Sequence, residues 1–252
     1  MNDILKVAVL AGQIILENGG ETYRVEETIW RICMIYGADE AECYVTPTGI
    51  MCSIIHNGDI YSLNRRVSYR TVNLDKIDLV NNLSRNIKSK NLSVNDLRKE
   101  LIIISNHKRY PLPMEIFFSA LGAGCFSVLF GGSIKDVLAA FLIGLVIKTI
   151  VINGEKLNIN FFFINSICGA IASILAILLV FLGFGNHINE TIIGSIMLLV
   201  PGLAITNAIR DTISGDLVSG LTRAAEAFFI AISIAVGTGA VLSFWFSNFG
   251  GI

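Results

Sequence analysis

The chain has 252 residues, 53% of them apolar, with 19 Lys/Arg against 20 Asp/Glu and a formal net charge of −1. That apolar share is high for a soluble domain, and the balanced charge gives no reason to expect a nucleic-acid partner. Residues 1–113 carry 14 Lys/Arg and 13 Asp/Glu, while residues 114–252 carry 5 and 7, so the composition changes near Pro111-Leu112-Pro113. The expected fold class is a mainly α membrane protein: a small N-terminal cytoplasmic α+β domain, 1–110, followed by a transmembrane domain, 111–252.

The opening Met1–Lys6 lacks the apolar core and small-residue cleavage site of a secretory signal, so the N-terminal domain is expected to start in the cytoplasm. Ile4, Ala8, Ala11 and Ile15 recur at helical spacing, and Gly19-Gly20 ends that helix. Thr22 is placed to cap a second helix, in which Val25, Ile29, Ile32 and Tyr36 share a face and Gly37 closes the segment. Glu26 and Glu27 lie in its first turn, where the helix dipole favours anions. Residues 43–46 and 50–55 read as strands, and Asn57-Gly58 predicts a type I′ hairpin pairing Ile50–His56 with Asp59–Leu63. Helices follow near 74–89 and 94–106, the second capped by Ser93 with Asp96 three residues on.

Beyond Pro113, five apolar runs reach spanning length: about 114–130, 134–152, 161–184, 191–209 and 221–246. Small residues such as Gly122, Ala123, Gly169, Ala170, Ala227 and Ala231 let such helices approach closely. Phe181, Phe244, Trp245 and Phe246 near their ends suit the bilayer interfaces. Lys108, Arg109, Lys156, Arg210 and Arg223 fall on one side of this arrangement and Lys135 on the other. That predicts the N-terminus in the cytoplasm and the C-terminus outside the cell membrane.

The stretch 201–226 carries the chemistry. Pro201-Gly202 interrupts an apolar helix, freeing backbone polar groups that could face a cavity. Asn207, Arg210 and Asp211 follow, and Asp216, Ser219, Arg223 and Glu226 then recur on one helix face. These residues are either a solvated, ion-paired loop or the polar lining of a solute path. On the second reading, an Arg pairs with a solute carboxylate while Asp216 or Glu226 takes an ammonium or a proton. Lys148 and Asp136 are further intramembrane charges, alternatively snorkelling to the interfaces. Cys33, Cys43, Cys52, Cys125 and Cys168 form no CxxC pair and read as reduced, mostly buried thiols. They and the dispersed His56, His107 and His187 predict no metal. With no GxSxG, Cys-His or Walker A pattern, neither a catalytic residue nor a cofactor is expected, and the chain is not read as an enzyme.

The run Pro201-Gly202, Asn207, Arg210-Asp211, Gly215-Asp216, Ser219-Gly220, Arg223, Glu226 and Gly237-Thr238 resembles the signature of the threonine/serine exporter (ThrE) family. So do Glu17–Thr28, which includes Glu21, Thr22, Arg24, Glu26 and Glu27, and Val45–Ile50. The resemblance implies secondary export of threonine and serine, or of dicarboxylates such as succinate. The chain's length resembles the split form, a larger YjjP-like subunit working with a small YjjB-like membrane partner, with further oligomerisation possible. Glu21, Thr22, Arg24, Glu26 and Glu27 are then either a helix cap with exposed charges or a gating motif. The alternatives are a membrane-anchored ligand sensor or scaffold, and a passive solute channel.

Overall fold

A computed structural model describes residues 1–107 and 110–250; Lys108 and Arg109, used above for orientation, lie outside the described residues. The elements are α1 (Asn2–Glu17), α2 (Thr22–Ile35), β1 (Glu40–Thr46), β2 (Gly49–His56), β3 (Asp59–Arg66), α3 (Leu74–Arg85), α4 (Val94–Ser105), α5 (Leu112–Leu129), α6 (Ile134–Lys156), α7 (Phe161–Phe181), α8 (Ile188–Ile196), α9 (Gly202–Ile213) and α10 (Leu217–Phe249). They form two compact units. The first joins Met1–Arg109 to Gly202–Ala225, and the second joins Tyr110–Pro201 to Glu226–Ile252. A single cut at residue 110 therefore does not describe the first unit, which takes in α9 and the first turns of α10.

In the first unit, β1, β2 and β3 form an antiparallel meander in that order. His56 pairs with Asp59 across Asn57 and Gly58, whose φ values of 52° and 85° are those a type I′ turn requires. Leu5, Ile15, Val25, Ile29, Ile50, Ile54, Val80, Leu97 and Leu101 build one apolar core from helices and sheet. A Cβ on Gly12 would meet Ile29 at 2.5 Å and Val25 at 3.0 Å, so α1 and α2 approach closely there. Ser93 caps α4, accepting the Asp96 N–H at 3.2 Å. The expected cap at Thr22 is corrected: Glu21 is the N-cap residue of α2, and the Thr22 hydroxyl is engaged elsewhere.

In the second unit, α5, α6 and α7, together with α10, are long and apolar enough to cross a membrane; these are four among the described residues. The protein itself buries only 22% to 44% of their apolar windows. Phe163, Ile167, Ile174 and Phe181 of α7 face outward, a placement that suits lipid and not water. Their mutual packing uses small residues. A Cβ on Gly144 would sit 2.9 Å from the Ala120 backbone, and one on Gly169 2.8 Å from the Ile234 carbonyl.

The expected continuous fourth span, 191–209, is corrected. α8 ends at Ile196, the chain unwinds through Met197–Pro201, and α9 starts at Gly202. Pro201 has no N–H for the next helical bond, and its ring crowds the carbonyl four residues earlier. α10 is the other departure. Its 33 residues rise about 50 Å, against the roughly 30 Å of a hydrocarbon core. Its first turns, Leu217–Ala225, are therefore not needed to span, and they belong to the first unit.

Candidate functional site

The sharp turn Gly19-Gly20 between α1 and α2 leaves backbone carbonyls pointing away from both helices, with Gly19 at φ +94°. Two side chains from 202–225 take them. Asn207 donates from Nδ2 to the Gly19 carbonyl at 2.9 Å, and Arg223 from Nη2 to the Gly20 carbonyl at 2.8 Å. One residue on, the N-terminus of α2 presents the Thr22 N–H and hydroxyl. Both donate to Asp211 Oδ1, at 3.2 and 2.9 Å. An anion at a helix N-terminus completes orphan N–H groups and meets the positive end of the helix dipole. Asp211 Oδ2 lies 3.0 Å from Arg223 Nε. Asp211 is 0% exposed and Arg223 5%, so each charge is held in the interior by the other and by backbone polar groups.

A second layer surrounds this pair. The Thr22 hydroxyl also lies 3.2 Å from Asp216 Oδ2. Glu21 joins Arg210 at 2.5 Å and Arg24 at 2.8 Å. Burial pushes the Glu21 carboxyl up, but its backbone hydrogen bond and the two arginines outweigh this and hold it below the usual range. Ser219 donates to the Val45 carbonyl at 3.3 Å, and Glu26 accepts the Val45 N–H at 2.9 Å. Burial raises Glu26 above its ordinary value; the Val45 N–H opposes that, and the Asp216 and Asp211 charges add to it. Glu27 stands apart, in an i,i+4 pair with Arg31.

The two stretches picked out in the sequence, 21–27 and 201–226, thus meet in one polar hub. Asn207, Arg210, Asp211, Asp216, Ser219 and Arg223 take part with Glu21, Thr22, Arg24 and Glu26. Pro201 ends the unwound segment, Gly202 opens α9, and Glu226 belongs to the second unit. Within the first unit these groups pair each other's charges, while Asp211 Oδ2 and Arg223 Nε, 3.0 Å apart, are not aligned for a hydrogen bond. Beside the hub, a cleft of about 700 Å³ lies between α2 and the β1–β2 hairpin, lined by Tyr23, Glu26, Trp30, Glu42, Tyr44 and Met51 among others.

Three clusters were not anticipated. Cys33, Cys43 and Cys52 gather rather than scatter. Thiol hydrogen bonds from the other two lower Cys52, while the same contacts and burial raise Cys33 and Cys43. The signal was present in the sequence, since a hairpin turning at Pro47-Thr48 sets Cys43 opposite Cys52. In the second unit, Lys148 pairs with Glu115 at 2.8 Å. Asp136 does not snorkel. It is fully buried and accepts N–H bonds from Ser133, Asn186 and His187 at 2.8, 2.6 and 2.8 Å, with the His187 ring at 2.8 Å.

Apolar helices with outward-facing hydrophobic surfaces define a multi-pass membrane protein, here with a buried polar hub in its other unit. A family profile described as "Putative threonine/serine exporter" matches residues 6–245, and the chain belongs to that family of membrane transporters. It is 24% identical over 246 residues to a "Probable succinate transporter subunit YjjP" of Klebsiella aerogenes, covering 96% of this chain and 94% of that one. To the protein of the same description from Escherichia coli K12 it is 23% identical, over 96% and 94%. To a "Probable threonine/serine exporter" of Mycobacterium tuberculosis it is 22% identical, over 93% of this chain and 45% of the relative. No solved structure matches.

Proposed function

We propose that the chain is the larger subunit of a secondary transporter that exports small amino acids, threonine or serine, or small carboxylates such as succinate. It works with a small YjjB-like membrane partner. The observation that carries the reading is the hub itself. The two longer stretches that resemble the exporter family converge on the Asp211–Arg223 pair, at the root of the helix that continues as a span. A charged hub at the start of a spanning helix is a place where solute or proton binding can act on that helix. In this reading Arg210 and Asp216 act within the hub, Glu226 is a charge on the spanning part of α10, Pro201 and Gly202 supply a flexible joint in the chain, and Glu21, Thr22, Arg24, Glu26 and Glu27 form a gating motif.

Coverage of the relatives supports the two-subunit form. The chain matches nearly the whole of two proteins described as subunits and less than half of the longer exporter. The proposed topology keeps the N-terminus in the cytoplasm. α5, α6 and α7 cross in turn, and α8 with the unwound segment returns the chain, because 202–225 is compact with the N-terminal unit. α10 then leaves the C-terminus outside.

The test is efflux of threonine, serine and succinate from preloaded cells expressing the chain with and without the partner, each with and without an uncoupler. Uncoupler-sensitive efflux that needs both chains is expected. Efflux indifferent to the uncoupler would favour the passive channel. No efflux of the three, with both chains in the membrane, would overturn the reading.

A further inference from the structure

Trp30 on α2 is 49% exposed and Tyr44 on β1 is 48% exposed, and both line the cleft of about 700 Å³ between α2 and the β1–β2 hairpin. Tyr23 and Met51, also exposed, line it with them. Single exposed apolar side chains are ordinary, but four large ones converging on one concavity mark a binding surface. None of the four belongs to the core of the first unit. Tyr23 carries the Arg24 guanidinium 5.9 Å from its ring centroid. Among the described residues, Trp30 and Tyr44 carry no such cation and stack on no other ring.

The carboxylates set among these rings are short of counter-charge. Glu26, Glu27 and Glu42 line the cleft, and among the described residues no Lys or Arg does. Glu27 has its partner in Arg31. Glu26 accepts the Val45 N–H. Among the described residues, Glu42 accepts no hydrogen bond, and neither it nor Glu26 meets a cation. Burial holds the Glu26 carboxyl above its ordinary value, the Val45 N–H opposes this, and the Asp216 and Asp211 charges add to it; a cation in the cleft would reverse that rise. A dicarboxylate would be repelled here. A metal ion suits the cleft no better, because among the described residues no group of three His, Cys, Asp or Glu side chains is placed to hold one. What the lining offers is aromatic faces, whose quadrupole attracts positive charge, beside carboxylates without cations, in a volume fit for a small molecule.

We infer that this cleft binds a small organic cation, an ammonium or quaternary ammonium group on an apolar body, with Trp30 and Tyr44 supplying ring faces and Glu26 and Glu42 the balancing charge. Met51 takes the apolar body. The site lies wholly within the first unit and takes a ligand of charge opposite to succinate, so it stands or falls independently of the transport reading. The ligand is an effector rather than the exported solute. Glu26 holds the Val45 N–H while Ser219 of the hub holds the Val45 carbonyl, so cleft and hub share one strand residue.

The test uses choline as the probe, against its neutral isostere 3,3-dimethyl-1-butanol, at constant ionic strength. The chain holds two tryptophans, Trp30 and Trp245, so Trp245→Phe leaves Trp30 as the sole indole in the purified full chain in mild detergent. Choline should change Trp30 emission saturably, and the isostere should bind about tenfold more weakly or worse. By calorimetry, Trp30→Leu and Tyr44→Leu should each weaken choline about threefold or more, and Glu42→Gln should weaken it by a similar factor. All three side chains are exposed, so unfolding temperatures close to wild type are expected alongside. Equal responses to choline and the isostere would show an apolar surface that does not read charge. Choline binding that Trp30→Leu and Tyr44→Leu leave unchanged would show an acidic patch only. Either result overturns the site, as does the absence of a saturable response both to choline and to 2-phenylethylammonium.

Discussion

Asp211 and Arg223 are held by one another and by the ends of α1 and α2, in a place water does not reach. Removing one partner leaves the other as a buried charge, at a cost of about 3–5 kcal/mol. Asp211→Ala and Arg223→Ala should each lower the unfolding temperature of the full chain in mild detergent. Asp211→Leu with Arg223→Met should recover part of the loss, and a double variant as poor as the two singles summed would show the groups to be uncoupled. Asp136 poses a different residue-scale case, because one of its partners titrates. The contact with Asp136 raises the pKa of His187, burial opposes this, and the Glu190 charge adds to the rise. A raised folded value means that the contribution is fully present below the unfolded value of about 6.5 and is lost as pH rises through the folded one. Thermal stability of the wild type should therefore fall across that window, and His187→Gln should flatten the fall.

Among elements, those whose signal is local were legible. Asn57-Gly58 demands positive φ at both positions, and the hairpin follows from that chemistry alone. Ser93 and Asp96 made their own cap. Thr22 did not, because its hydroxyl found Asp211, 189 residues away; no local pattern announces a partner at that distance. Asp136 was readable only in part: its capping box with Ser133 is local, but its Asn186 and His187 donors lie 50 and 51 positions further on. Pro201 was visible as a break, but whether a proline bends a helix or ends it depends on what the following segment packs against. The cysteines fall between these cases. β1 and β2 pair Cys43 with Cys52 on the wide, non-hydrogen-bonded rung, where Cα atoms lie about 4.5 Å apart and within disulfide reach. Mild oxidation of the full chain should remove two alkylatable thiols, an effect that Cys52→Ser abolishes and Cys125→Ser does not. Oxidation that spares both would show the register to be shifted.

At the scale of the whole molecule, composition separated charged from apolar sequence correctly but could not say which pieces fold together. In the sequence, residues 202–225 read as the end of one span, a short loop and the start of the next, yet they complete the first unit. The proposed topology makes a direct demand: an accessibility tag at Gly185 should react from outside intact cells, whereas one at Arg98 should not. The reverse pattern would invert the arrangement. Export by two chains makes a further demand on assembly, met only if mild-detergent extraction recovers the chain with a small membrane partner.

The split of the first unit across the chain also sets an order of events during synthesis. Residues 1–107 leave the ribosome early, yet the carbonyls of Gly19 and Gly20 and the N-terminus of α2 wait for Asn207, Asp211 and Arg223. At 5–20 residues per second, that wait is on the order of ten seconds. During it, α5, α6 and α7 must already be entering the bilayer. The last helix can be locked to the N-terminal unit only after its predecessors have been threaded, so the hub records that insertion has reached its final step.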